Sequence, residues 1–210
     1  MDRDPAVTEP APLRTVGTAH PHGMQDLFLA AVEAEEAGEK QRATALYERI
    51  IAQQPDYAPA YINLGTIHFH QHQYARAEDL YRQATEADPG YVLGFFDLGN
   101  VLDELQRLDE SIVAYRRAIA LAPRYADAHY NLALAHERRG ERRLALRHWQ
   151  AYARLDNRGP WADHARGQIH KLLSREKLAI AWRAECFIAP HKGTAALQLV
   201  SSQPPLDTAE

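Results

Sequence analysis

The sequence predicts an all-α fold, a right-handed α-solenoid of about four helix–turn–helix repeats closed by a capping helix. Three observations predict it. Pro55, Pro89 and Pro123 stand 34 residues apart. Tyr61-Ile-Asn-Leu-Gly65 returns as Phe95-Phe-Asp-Leu-Gly99 and again as His129-Tyr-Asn-Leu-Ala133. Tyr81, Tyr115 and Trp149 follow the starts of these motifs at a constant interval of 20 residues. A period of this length marks stacked helix hairpins, each burying its apolar face only against its neighbours.

Residues 1–23 are rich in Pro, Thr and Ala without helical or strand period, and read as a flexible leader. The first repeat, 24–57, is the most degenerate. Leu27, Ala30, Ala31 and Ala34 share one helical face. Gly38 ends that helix in the left-handed conformation glycine tolerates. A second helix from about Lys40 turns Ala43, Tyr47 and Ile50 inward and stops before Pro55, which disfavours helical geometry in the residue ahead of it.

Repeats 58–91 and 92–125 are the clearest copies. Small residues at Gly65 and Ala77, and at Gly99 and Ser111, sit where two antiparallel helices must come close. Tyr81 and Tyr115 are expected to fill the space between one hairpin and the next. The fourth copy, 126–159, keeps Ala133, Gly140, Ala145 and Trp149 but has Asn157 in place of the proline.

Gly159-Pro160 then opens a capping helix, 160–174, since proline suits a first helical turn. It is expected to offer Trp161, Ala165, Ile169, Leu172 and Leu173 to the array, because a last repeat otherwise exposes its apolar face. Residues 175–200 read as an extra helix, Arg175–Ile188, ended by Pro190, and an extended segment, Thr194–Val200. Residues 201–210 read as a disordered tail. The 175–200 segment could extend the stack, lie in its own groove or pair with another chain, since an isolated strand does not stand alone.

The net charge of −4 argues against a generic polyanion binder, yet it is unevenly placed. Residues 24–125 carry 16 acidic and 9 basic side chains, and residues 126–178 carry 6 and 11. Cys186 is alone, which excludes an intramolecular disulfide and a cysteine-built zinc site. The N-terminus has no apolar run of the secretory kind, and no stretch approaches the roughly 18 apolar residues of a membrane span. A cytoplasmic protein without membrane contact is expected.

The 34-residue pattern, with its large, small and proline slots in register, resembles the tetratricopeptide repeat family over residues 24–157. His72 and Gln106 depart from it where the inter-helix turn usually has glycine, and His129 takes an aromatic slot. A narrower resemblance rests on His129–His136, Leu146-Arg-His-Trp149 and Pro160-Trp-Ala-Asp163. These are similar to repeat regions that follow MerR-type DNA-binding domains in bacterial regulators, whose winged-helix DNA reader this chain lacks.

The resemblance implies a non-catalytic protein–protein adaptor or scaffold that holds a peptide or helix on a concave face lined by the first helix of each repeat. The lining it implies begins with Phe28 and Val32, then Ile62, Asn63, Thr66, Phe69 and His70. Phe96, Asp97, Asn100 and Asp103 follow, and Tyr130, Asn131, Leu134 and Glu137 complete it. The rim is acidic, with Glu35, Glu36, Asp103, Glu104, Asp127 and Glu137, so the implied partner segment is apolar with some basic charge.

The family's carboxylate clamp is not implied. Its aligned positions are Phe28, Val32, Asn63, Leu93 and Asp97, or one repeat on Ile62, Thr66, Asp97, Asp127 and Asn131, and neither set holds a cation.

His68 and His72 have the i, i+4 spacing of metal ligands, but no third ligand accompanies them, so no metal is expected. Arg138, Arg139, Arg142, Arg143, Arg147, Arg154 and Arg158, with Arg166 and Lys171, form a basic sector. The alternative reading is therefore a regulator associated with nucleic acid through the basic C-terminal repeat. Interleaved aromatics are missing there, which argues against it. No phosphate loop, nucleophile elbow or paired-carboxylate motif is present, so neither enzymatic activity nor a cofactor is expected. The oligomeric state is not legible.

Overall fold

The computed structural model describes residues 23–187, and within them all regular structure is helical. Four hairpins follow one another: α1 (Met24–Glu36) with α2 (Lys40–Gln53), α3 (Ala58–His70) with α4 (Tyr74–Ala87), α5 (Val92–Glu104) with α6 (Leu108–Leu121), and α7 (Ala126–Arg138) with α8 (Arg142–Leu155). A ninth helix, α9, runs Gly159–Phe187. The expected leader, the expected extended segment Thr194–Val200 and the expected tail lie outside the described residues. None of the described helices is long and apolar enough to cross a membrane.

Each hairpin packs within itself and then against the next, and α3 also touches α5 as α5 touches α7. The first helices of successive repeats therefore approach one another, forming the inner side of the stack over residues 23–169. This is the packing of a tetratricopeptide-type solenoid.

The small slots are needed where a first helix crosses its own second helix. A methyl added at Gly65 would lie 2.6 Å from Tyr81 Cε1, and one at Gly99 would lie 2.5 Å from Tyr115 Cε1. Each tyrosine thus lies flat on the glycine of its own hairpin. Tyr81 also belongs to the core cluster that continues into Leu98 and Val101 of the next repeat.

The four hairpin turns share one backbone conformation. Gly38, His72, Gln106 and Gly140 all have positive φ, between 59° and 77°. The amide of the following residue donates back to the carbonyl five residues earlier: Glu39 to Ala34, Gln73 to His68, Arg107 to Leu102, Glu141 to His136, at 2.8–2.9 Å. This is the bonding of a Schellman C-cap. His72 and Gln106 thus hold the left-handed geometry without being glycine.

Between the second and third repeats, Arg107 is held by two carboxylates. It donates to Glu78 at 2.7 Å and to Glu110 at 2.6 Å.

The sequence divides the C-terminal region at Ser174, whereas α9 is continuous there. No Gly or Pro follows Ser174 within the helix, and its hydroxyl donates to the His170 carbonyl at 2.8 Å, an i−4 bond that leaves the helix unbroken. Of the expected inward face, Ala165 and Leu172 are buried, whereas Trp161 and Leu173 are exposed. Trp161 is 63% exposed, and the fully buried residues are Ala162 and Ala165. The last hairpin already presents Tyr130, Trp149 and Tyr152, which leaves room for methyl groups rather than an indole.

Candidate peptide-binding groove

The inner side is lined by positions that recur every 34 residues on α1, α3, α5 and α7. Phe28 is partly buried, with ring centroids 5.4 Å from Tyr57 and 5.9 Å from Tyr47. Val32 is partly buried on the same helix. Ile62 is only 5% exposed and belongs to the core with Tyr81 and Leu98, so it supports the surface from beneath. Phe69 packs edge-on to Tyr74, and His70 is exposed.

Two adjoining hollows open on the inner side. One, of about 300 Å³, is lined by Phe96, Asp127, Tyr130, Asn131, Tyr152, Asp156 and Trp161. The other, of about 350 Å³, is lined by Phe69, Asn100, Asp103, Glu104, Tyr115, Asn131 and Leu134. Asn131 lines both. Seven of the expected lining residues are thereby brought together, while Phe28, Val32, Ile62, Asn63, Thr66, His70, Asp97 and Glu137 lie outside these two hollows.

Sequence reasoning missed Tyr152, Asp156 and Trp161. Trp161 lies edge-on to Tyr130, with centroids 5.4 Å apart, and Tyr152 donates to Asp156 at 2.8 Å. The adjacent alanines Ala162 and Ala165 were the available signal, since small residues at i, i+3 identify the face that can approach a neighbour and turn Trp161 away from it.

Polar groups along the stripe bond in a ladder. Asn63 donates to Tyr47 Oη at 3.0 Å, and Tyr47 in turn donates to Glu35 at 2.9 Å. Thr66 Oγ1 and Tyr81 Oη are 3.2 Å apart. Asn100 Oδ1 accepts from both Tyr115 Oη at 3.0 Å and Asn131 Nδ2 at 2.8 Å. In the fourth repeat the ladder ends: Leu134 occupies the acceptor slot and the buried Trp149 Nε1 has no hydrogen-bond partner among the described residues.

Asp97 occupies the slot of Asn63 and Asn131. Burial pushes its carboxyl up to about 6, with the Asn100 amide partly opposing the shift. No cation pairs with it among the described residues. Its charge, secondary to burial, also contributes to the raised phenol values of Tyr81, Tyr91 and Tyr125. The acidic rim is partly neutralised: Arg138 pairs with Asp103 and donates to Gln106 Oε1 at 2.9 Å. Glu36, Glu104 and Asp127 remain exposed.

The histidines considered as metal ligands bond separately, His68 Nδ1 with Gln73 Oε1 at 2.6 Å and His72 Nδ1 with Tyr74 Oη at 2.8 Å. No group of three His, Cys, Asp or Glu side chains among the described residues could hold a metal ion. His129 explains its own departure from the aromatic slot. Its Nε2 meets the Pro123 carbonyl at 3.1 Å, as Tyr61 Oη meets the Pro55 carbonyl at 3.1 Å.

Comparison with known proteins places this arrangement. A family model described as tetratricopeptide repeat matches residues 28–92, and one described as TPR repeat matches residues 99–140. Among solved structures, MamA of MSR-1 is 30% identical, with 64% of this chain and 78% of that chain covered, at a TM-score of 0.54. YrrB, described as a TPR protein with an unusual peptide-binding site, is 21% identical, with 74% and 78% covered, at a TM-score of 0.63. The Thermobaculum terrenum O-GlcNAc transferase is 28% identical over 62% of this chain but only 26% of its own, at a TM-score of 0.57. That likeness is to its repeat region. No curated protein matches. The narrower resemblance to MerR-type regulators finds no support in these matches.

Proposed function

Because the chain belongs to the tetratricopeptide repeat family, whose repeats generally mediate protein–protein interaction, we propose that it is a non-catalytic adaptor that holds a partner segment along its inner groove. The segment is extended or helical, places apolar side chains against Phe69, Phe96, Leu134 and Tyr130, and carries at least one Lys or Arg.

Asp97 carries the reading. A carboxylate held partly buried without a cation is costly in the free protein and is relieved when a ligand supplies one. The exposed Trp161 extends the apolar floor at one end. Contiguous exposed aromatic surface of this kind marks interaction sites.

The nucleic-acid alternative loses part of its surface, because Arg138 and Arg139 are engaged by Asp103, Asp109 and Glu141.

Selection from a displayed random-peptide library tests the proposal. Wild type should enrich apolar peptides that contain Lys or Arg, and Asp97→Lys should lose them while keeping its helical circular dichroism. Failure of wild type to enrich basic apolar peptides, or recovery of the same basic peptides by both proteins, would overturn it.

A further inference from the structure

The outer side of the stack carries a second, unrelated feature. Two grooves lie between successive second helices, α2–α4 and α6–α8, and they can be compared position by position because they are related by twice the 34-residue period. In the α2–α4 groove, of about 370 Å³, the charged residues are Glu48, Asp79 and Arg76. Between α4 and α6, Arg82 and Glu110 pair with one another at 3.3 Å.

The α6–α8 groove, of about 530 Å³, is different: its charged residues are Arg116, Arg147 and Arg154. Arg116 and Arg147 stand where the first groove has Glu48 and Asp79, and by the same register Arg154 stands where Glu86 does. None of the three arginines has an ion-pair partner among the described residues.

Between them lies an aliphatic floor of Ile119, Leu132, Leu144 and Leu155. His129 and His148 complete the wall, their Nδ1 atoms 3.1 Å apart. Burial, with the neighbouring His129, His136, Arg147 and Arg116, holds the His148 imidazole down to about 4. The groove is thus a region of positive potential around an apolar slot.

We propose that the α6–α8 groove binds an acidic amphipathic segment of a partner protein, with an apolar anchor on the aliphatic floor and carboxylates on Arg116, Arg147 and Arg154. Arg147 and Arg154 are seven residues apart on α8, about 10 Å along its axis. Carboxylates at i and i+7 of a partner helix match that separation. Arginine suits the role because its planar fork grips carboxylate oxygens in pairs. A nucleic-acid strand fits less well, since its bases call for aromatic platforms and this floor is aliphatic. The first groove, with Glu48 and Asp79, would repel the same segment. The reversed charge at these equivalent positions separates the two grooves.

The test uses the full chain and a labelled helical peptide with one Leu anchor and Glu at i and i+7, read by fluorescence anisotropy. The peptide should bind with an affinity that falls as salt rises, and replacing both Glu by Gln should weaken it about tenfold. Arg147→Glu should weaken binding to a similar degree. Arg143→Glu, an equal charge change on α8 outside the groove, should have little effect. Equal loss from both variants, equal binding of the Gln peptide, tighter binding of a single-stranded oligonucleotide, or self-association of the chain at low salt that excludes the peptide would each overturn the assignment. Peptide selection on the inner groove is read with Asp97 variants, so failure of either site leaves the other distinguishable.

Discussion

The Asn100 side-chain amide donates to Asp97 Oδ1 at 3.3 Å, the one hydrogen bond that supports this carboxylate among the described residues. A single neutral donor does not compensate a partly buried charge. The folded value, about 6 against an ordinary 3.8, means that the folded chain holds a proton the unfolded chain has already released. Stability from this group is present below about pH 3.8 and is lost as pH rises through 6.

Asp97→Asn installs the residue found at the equivalent positions 63 and 131. At pH 7.5 it should raise stability by about 1–3 kcal/mol, with the gain shrinking to nothing by about pH 4. Urea unfolding at several pH values measures this. The same variant should bind basic peptides more weakly, opposing effects on stability and recognition from one atom pair.

Gly99→Ala places a methyl 2.5 Å from the Tyr115 ring, which must move and in doing so strain its bond to Asn100. The helix-propensity gain of about 1 kcal/mol offsets part of the overpacking. A net loss of about 1–2 kcal/mol is expected by chemical denaturation. The first repeat carries Ala31 over Tyr47 in the same slot, so the variant should still fold.

Gln106→Gly removes a side chain from a left-handed turn position, φ 61°. The strain relieved is about 1–2 kcal/mol, set against greater freedom in the unfolded chain and the lost contact with Arg138. The melting temperature should rise modestly. A fall would show that the Arg138 contact outweighs the backbone strain.

His148→Leu tests the electrostatics of the outer groove independently of any ligand. With its folded value near 4, His148 stays neutral while the unfolded chain gains a proton below 6.5, so stability is lost as pH falls from 6.5 toward 4. Leu, the residue at the equivalent position 80, removes that contribution. The variant should lose less stability than wild type between pH 6.5 and 4.

The hairpins were legible because each repeats a pattern dictated by close packing: large Tyr81 requires small Gly65, and Tyr115 requires Gly99. The lining of the inner groove was legible only in part. Periodicity says which face Ile62 belongs to, but not that neighbouring Tyr81 and Leu98 cover it. Apolarity argues for an inward Trp161 against its phase, and the crowding of Tyr130, Trp149 and Tyr152 arises only where α7 and α8 meet α9. The outer grooves are illegible in the sequence for a related reason. Arg116 on one helix and Arg147 and Arg154 on another converge only after the hairpins have stacked, and nothing local marks them as neighbours.

The arginine held between Glu78 and Glu110 has a consequence for how the stack comes apart. A linear array unfolds most readily from its ends, where a repeat loses only one neighbour. Arg107, bridging α4 to α6, and Arg82 beside it fasten the junction that lies farthest from both ends. Opening should therefore proceed inward from α1–α2 and from α7–α8 toward that junction, with the amides of α4 and α5 exchanging last. The inner groove then spans a gradient of local stability. A partner segment that reaches from Phe69 to Trp161 would be anchored at the rigid centre and would order the looser end as it docks.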